Sequence, residues 1–199
     1  MTDIVEYKRL IRKQLRAKAR NISRDELYRQ AKRVFSQIER LPLFADAVNI
    51  AAYSALRDEL PTLPFLARWN EEMGKNVWLP RVNGECLDLV KVDFNDGEPV
   101  NLMKMPPFDI LEPIGEGLTD LTTINLFIVP GMAFDRERNR LGRGKGYYDR
   151  LLADIEVPLI GVARDNALFD AIPHEPHDRK MDFIITSSEC VGSKRCRSW

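Results

Sequence analysis

The sequence predicts an α/β domain: a three-layer α/β/α sandwich around a mainly parallel sheet, with two N-terminal helices packed on it. Three observations carry that prediction. From residue 48 onward, apolar strand-like runs alternate with helical patterns, as in successive βαβ units. Leu126 to Val129 is an apolar run with no charge in it, which is how a strand buried on both faces reads. The chain has 199 residues, 44% hydrophobic and 30% charged, enough for one domain with a sizeable core.

Residues 3–20 read as the first helix, with Ile4, Ile11, Leu15 and Ala19 at helical spacing and Thr2 or Asp3 as cap. Seven of the thirteen residues from Lys8 to Arg20 are basic and none is acidic. Lys8 and Arg12 share a face at i,i+4, which serves equally as a solvated basic surface or as a phosphate contact. Ser23-Arg-Asp-Glu26 is a capping box that opens a second helix, whose buried stripe is Leu27, Ala31, Val34, Phe35 and Ile38. Leu41-Pro42 is expected to end it. Val48 to Tyr53 is a short strand that runs into Ser54-Ala-Leu-Arg-Asp-Glu59-Leu-Pro61. A carboxylate there stands where α/β folds place ligands, although Glu59 ahead of Pro61 also suits a plain helix start.

Leu63 to Met73 continues as a helix closed by Gly74, and Lys75 to Arg81 as a parallel strand, with Arg81 a weak candidate for the cleft. Leu87 to Val92 is a further strand. Residues 95–120 are irregular and rich in Pro and Gly; a loop this long is often functional. Pro158 to Ala163 and Phe183 to Thr186 are later strands. Residues 1–187 are expected to form the domain and 188–199 a tail. His174 and His177 are loosely spaced with no cysteine beside them, a poor metal set.

Composition narrows the class. Thirty basic and thirty acidic residues cancel, unlike the basic excess of a dedicated nucleic-acid binder. Three cysteines, an odd number, point to a reducing compartment rather than a disulfide framework. No stretch approaches the roughly 20 apolar residues of a membrane span, and the N-terminus has no apolar signal core. The expectation is a cytoplasmic monomer with no nucleic-acid or membrane partner.

After Pro130-Gly131 the chain turns through Asp135, Arg136, Arg138 and Arg140 to Arg140-Leu-Gly-Arg-Gly-Lys-Gly-Tyr-Tyr-Asp-Arg150. Gly142, Gly144 and Gly146 alternate with Arg143 and Lys145. A strand, a glycine loop and a helix start (147–155) let backbone N–H groups approach phosphate, with a helix N-terminus adding positive field. The spacing fits neither a Walker A loop, since Lys145 precedes Gly146, nor a Rossmann fingerprint. Arg140, Arg143, Lys145 and Arg150 suit a polyanion such as a nucleoside triphosphate. Asp149 is placed for a Mg²⁺ on its phosphates, and Tyr147 and Tyr148 can stack on a flat ring.

Val129-Pro-Gly-Met-Ala-Phe-Asp135 followed by Arg140 to Arg150 resembles the signature of the 5-formyltetrahydrofolate cyclo-ligase family, and the resemblance extends over roughly residues 5 to 187. It implies the same α/β/α architecture, a reaction of 5-formyltetrahydrofolate with ATP, and Mg²⁺. It implies ATP contacts from Lys8, Arg12, Arg140, Leu141, Gly142, Arg143, Gly144, Lys145, Gly146, Tyr147 and Tyr148, with Arg143 and Lys145 acting on the transferring phosphate. Folate contacts are implied for Ser54, Glu59, Tyr147, Tyr148 and Phe108, which equally suits a buried anchor. Asp149 and Asp182 are the implied Mg²⁺ ligands. Two other readings stand beside this one: a different ATP-using enzyme on the same scaffold, and a small RNA-binding module. The second is disfavoured by neutrality and by the lack of aromatics interleaved with the basic residues.

Overall fold

The computed structural model describes residues 4–19, 21–106, 110–175 and 178–192. Helices α1 (Ile4–Ala19), α2 (Arg24–Glu39) and α3 (Pro42–Asp46) precede β1 (Asn49–Ala51), α4 (Leu63–Glu71), and the hairpin β2 (Asn76–Asn83) and β3 (Cys86–Val92). Two small hairpins follow, β4 (Phe94–Asn95) with β5 (Glu98–Pro99), and β6 (Leu102–Met105) with β7 (Ile110–Pro113). Then come β8 (Leu126–Pro130), β9 (Ala133–Asp135), β10 (Arg140–Leu141), α5 (Tyr147–Leu151), β11 (Leu159–Val162), β12 (Leu168–Phe169), β13 (Phe183–Ile185) and β14 (Cys190–Gly192).

The main sheet has seven strands in the order β14-β13-β11-β8-β1-β2-β3. The five inner strands are parallel; the two edges, β3 and β14, are antiparallel. Strand alternation sorts the core. Along β8, Leu126 and Ile128 face the core beneath α2, α3 and α4, while Phe127 and Val129 face the opposite core. The first face is sealed by aromatics: Phe35 stacks on Phe65 at 4.5 Å between centroids, and Trp69 meets Phe44 at 4.7 Å. Each such buried ring contributes roughly 1.5–3 kcal/mol.

The second face is covered differently. It carries the short α5 and a three-stranded sheet, β10-β9-β12. β9 folds back over the main sheet because Gly131 and Gly161 leave room for the Phe134 ring; a Cβ on either would lie 2.6 Å and 2.5 Å from it. Asp135 ties this hairpin together. Its carboxylate accepts from the Asn139 amide (2.9 Å), from Asn139 Nδ2 (2.8 Å) and from the Ile172 amide (3.0 Å).

The mainly parallel α/β sheet is the predicted one, and α2 packs on it as expected, with its whole predicted stripe buried. Several details differ. α1 packs instead on the small sheet, where Ile11 and Leu15 meet Met132, Ala133 and Leu141. Leu41-Pro42 does not simply end a helix; Pro42 is the first residue of α3. α5 stops at Leu151 rather than near 155. Within the expected tail, residues 190–192 add an edge strand to the sheet. Among the described residues no helix is long and apolar enough to cross a membrane.

Candidate active site

β1 leads through α4 to β2 on one side, and β8 leads through α5 to β11 on the other. These neighbouring strands therefore diverge, and a crevice opens at their carboxyl ends, where open α/β sheets bind ligands. Tyr53, Glu59, Pro130, Gly131, Val162 and Arg164 line a recess there.

The glycine loop borders this crevice. Gly144 (φ +99°) and Gly146 (φ +69°) sit in backbone conformations that side chains disfavour. Arg12 Nε donates to the Gly142 carbonyl (2.8 Å), and Arg150 Nη2 to the Lys145 carbonyl (3.1 Å). These two carbonyls are held by arginines, and the amides of 142–146 are without an acceptor among the described residues. That is the character of an anion-binding nest. Lys145 is exposed and forms no ion pair among the described residues.

Arg143 reaches out of the loop to the segment after β1. It donates to Asp58 (2.5 Å) and, through Nε and Nη2, to Glu59 Oε1 (3.1 and 2.9 Å). Glu59 Oε2 accepts from the Leu56 amide at 3.0 Å, and its side chain is 12% exposed. Burial pushes the Glu59 carboxyl above its usual range, against the pull of Arg143. Burial alone would lower Arg143, but Glu59 and Asp58 hold it above the ordinary value. Tyr148 lies beside this cluster: its hydroxyl pKa is raised by burial and then by Glu59, and the Arg140 guanidinium sits 5.5 Å from its ring centre.

Glu59 also lines a second, larger groove with Arg24, Tyr28, Leu56, Arg57 and Pro61, about 660 Å³ with its open side included. The crevice thus has the glycine loop at one side, a partly apolar groove at the other, and the Arg143–Glu59 pair between them.

A family model described as the 5-formyltetrahydrofolate cyclo-ligase family matches residues 4–187. The chain belongs to this family. The 5-formyltetrahydrofolate cyclo-ligase of Mus musculus is 27% identical over 189 residues, 89% of this chain and 92% of that one. The enzyme of that name from Mycolicibacterium smegmatis is 41% identical over 109 residues, 54% of this chain and 50% of the relative. In structure, a 5,10-methenyltetrahydrofolate synthetase from Aquifex aeolicus superposes with a TM-score of 0.81 at 31% identity, covering 96% of this chain and 95% of that one.

Against the site implied for a cyclo-ligase, the geometry brings Arg12, Gly142–Gly146, Arg143, Glu59 and Tyr148 together. Other residues serve elsewhere. Arg140, whose side chain is 4% exposed, holds the Pro130 carbonyl (3.3 Å) and the Asp149 carboxylate, so it organises the loop from beneath. Leu141 is core. Lys8 is 8% exposed and bridges Glu175 (2.8 Å) and Asp178 (2.9 Å); burial lowers its pKa, but these two acids raise it further. It therefore anchors α1 rather than standing free for phosphate. Tyr147 turns to the β2–β3 turn, its hydroxyl 3.5 Å from the Gly84 carbonyl and its ring under Arg150, so of the two tyrosines only Tyr148 faces the cluster. Arg81 is within β2, bonded to Gly115 and Asp88. Ser54 is half-buried just after β1 and its hydroxyl has no partner among the described residues. Phe108 and His177 lie outside the described residues, and His174 is 3.3 Å from the Ile172 carbonyl.

The two proposed Mg²⁺ carboxylates are not neighbours. Asp149 lies by the loop at the carboxyl end of the sheet. Asp182 precedes β13 at the amino end, on the order of 10 Å away along the strand direction. Its Oδ2 accepts from the Leu159 amide at 2.9 Å, which registers β13 against β11. Among the described residues no three metal-binding side chains cluster. Asp149 is ion-paired to Arg140 through Oδ1, which leaves its Oδ2 for a cation that takes most of its oxygens from phosphate and water.

Arg164, Tyr28 and Arg57 are among the crevice residues that escaped the sequence reading. Arg164 carried a usable signal, since it stands just past the end of an apolar strand, the same position that drew attention to Glu59. Tyr28 and Arg57 carried none.

Proposed function

We propose that the protein closes 5-formyltetrahydrofolate to 5,10-methenyltetrahydrofolate, using ATP and Mg²⁺ and releasing ADP and phosphate. The observation that carries this reading is the Arg143–Glu59 pair, which joins the glycine loop to a partly apolar groove at the carboxyl ends of the sheet. Family membership supports the folate substrate.

The chemical difficulty is that a formyl oxygen leaves poorly. The formyl oxygen attacks the γ-phosphorus, and the bond to the ADP oxygen breaks with its electron pair staying on ADP. N10 of the folate then attacks the formyl carbon, the carbon–oxygen bond breaks with its electrons leaving on phosphate, and N10 gives up its proton. In such transfers the protein mainly positions reactants and stabilises charge. The amides of 142–146, with Arg12 and Lys145, hold the triphosphate. Arg143, held by Asp58 and Glu59 at the edge of the loop, adds its charge beside the phosphates. Glu59 holds the folate, Tyr148 borders its ring, and the Tyr28–Arg57 groove takes the rest of the molecule. Asp149 is the residue that would hold a Mg²⁺, which would offset charge on the terminal phosphates.

The test is the absorbance of the methenyl product on mixing the protein, Mg-ATP and 5-formyltetrahydrofolate. Product must form with ATP and fail to form with ADP or without nucleotide. Binding of Mg-ATP with no product from this folate would indicate a different acceptor.

A further inference from the structure

Arg164 follows β11 at the carboxyl end of the sheet and is 5% exposed. Its guanidinium makes no hydrogen bond or ion pair among the described residues, and Nη1 is fully enclosed without a partner. Arg140, comparably buried, is fully engaged with Pro130 and Asp149. A buried guanidinium is costly unless paired, and an unsatisfied one in a native interior calls for an explanation. Asp58 and Glu59 are close enough to act on Arg164 through space, but neither forms a hydrogen bond or ion pair with it; Asp58 Oδ1 and Glu59 Oε1 are bonded to Arg143, and Glu59 Oε2 to the Leu56 amide. Arg164 instead lines the recess shared by Glu59 and Gly131. Its fork suits a planar or tetrahedral oxyanion.

We propose that Arg164 contacts the phosphoryl group in transit, meeting one of its oxygens at the recess between Glu59 and Gly131, which has room for about one water. The inference rests on the reaction proposed above. In that reaction the phosphoryl group moves from the loop toward the folate, and a cation beyond the loop stabilises charge that develops during the move. Arg143 and the loop grip the nucleotide; Arg164 meets the group as it leaves ADP and remains beside it as free phosphate. An interaction made mainly after departure from ADP acts on turnover rather than on nucleotide affinity.

The experiment compares the wild type with Arg164→Met and Arg164→Lys. Turnover, nucleotide and folate affinities, and thermal stability with and without inorganic phosphate are measured. Arg164→Met lowers kcat by about 10²-fold, in line with loss of one preorganised donor to a developing charge. It leaves ADP and folate affinities unchanged and abolishes the stabilisation by phosphate. Its own melting temperature rises, because an unpaired buried charge has been replaced by an apolar chain of similar length. Arg164→Lys recovers part of kcat. Weakened ADP binding in Arg164→Met would make the residue an ordinary nucleotide contact, and weakened folate binding a contact to a folate carboxylate; either overturns the proposal. So does a lower melting temperature with unchanged kcat, the mark of a packing role. If the wild type forms no methenyl product yet phosphate protects it through Arg164, the reaction proposed above falls and the oxyanion site stands. If product forms and neither variant alters kcat or phosphate protection, the reaction stands and the role of Arg164 falls.

Discussion

The two ends of the seven-stranded sheet use similar polar side chains for opposite purposes. At the amino end they complete backbone bonding. Asn125 Oδ1 accepts from the amides of Val48 (3.0 Å) and Asn49 (2.8 Å), Asn49 Nδ2 donates to the Thr123 carbonyl (3.1 Å), and Asp182 accepts from Leu159. Strand starts and their flanks leave amides and carbonyls to be paired, and Lys75 Nζ takes the Ala45 (2.8 Å) and Ala47 (2.7 Å) carbonyls there. At the carboxyl end, carbonyls are left over, and cations collect: Arg140 caps Pro130, and Arg12 caps Gly142. Acids from a distant segment then pair with some of these cations, as Asp58 and Glu59 do with Arg143, while Lys145 and Arg164 have no ion pair among the described residues. One end is electrostatically closed and the other is open to an anion. A carboxylate's meaning therefore depends on its end of the strand: Asp182 latches β13 to β11, and Glu59 lines the recess.

That contrast is broken most directly at Arg143. Arg143→Ala should lower kcat/KM by about 10²-fold or more, since a charge-assisted contact to the reacting phosphates is lost. It should also cost about 2 kcal/mol in stability, because Asp58 and Glu59 remain half-buried without their partner. Urea unfolding and steady-state turnover give both numbers; a variant as active as the wild type would show that the pair only braces the fold. Lys145→Ala should separate the two effects. ATP binding weakens by about 1–3 kcal/mol, while stability stays within about 0.5 kcal/mol because the side chain is exposed and unpaired. Calorimetry that finds ATP affinity intact would remove the loop from the nucleotide site.

The amino end supplies the matching control. Asp182→Asn should lose about 1 kcal/mol of stability, from a weakened bond to the Leu159 amide, with no change in the Mg²⁺ concentration needed for half-maximal rate. Asp149→Asn should raise that concentration. A raised Mg²⁺ requirement in Asp182→Asn would mean that the amino end also holds a cation.

What the sequence disclosed follows the same division. Periodicity finds elements because a buried face is a property of consecutive residues: every apolar residue assigned to the inner stripe of α2 is buried. The glycine loop was legible because backbone without Cβ has few other uses at that density. What stayed hidden depends on residues far apart in the chain. Nothing near Lys8 announces that Glu175 and Asp178 will take its charge, and nothing near Arg140 shows that Pro130 and Asp149 will enclose it. Asp149 and Asp182 look equivalent as carboxylates beside apolar runs; only strand direction separates them. α1 was misplaced for a related reason: amphipathicity says that a helix buries a face, but not which sheet receives it.

The smallest expected effect tests whether burial or Arg143 governs Glu59. Burial raises its carboxyl pKa in the folded state above the ordinary 4.5, more than Arg143 and the Leu56 amide lower it. The folded state then holds this proton more tightly than the unfolded chain does. The contribution of Glu59 to stability is therefore complete below 4.5 and is lost as pH rises through the higher folded value. Glu59→Gln cannot titrate, so the unfolding free energy of the wild type should fall relative to the variant as pH climbs from below 4.5, then run parallel to it. Urea unfolding of both proteins across that range measures the difference. A wild type that instead gains on the variant with rising pH would mean that the Arg143 pair outweighs burial. Glu59 would then be held ionised by its partner, and the open end of the sheet would be more nearly neutralised before ligand arrives than the burial of Glu59 implies.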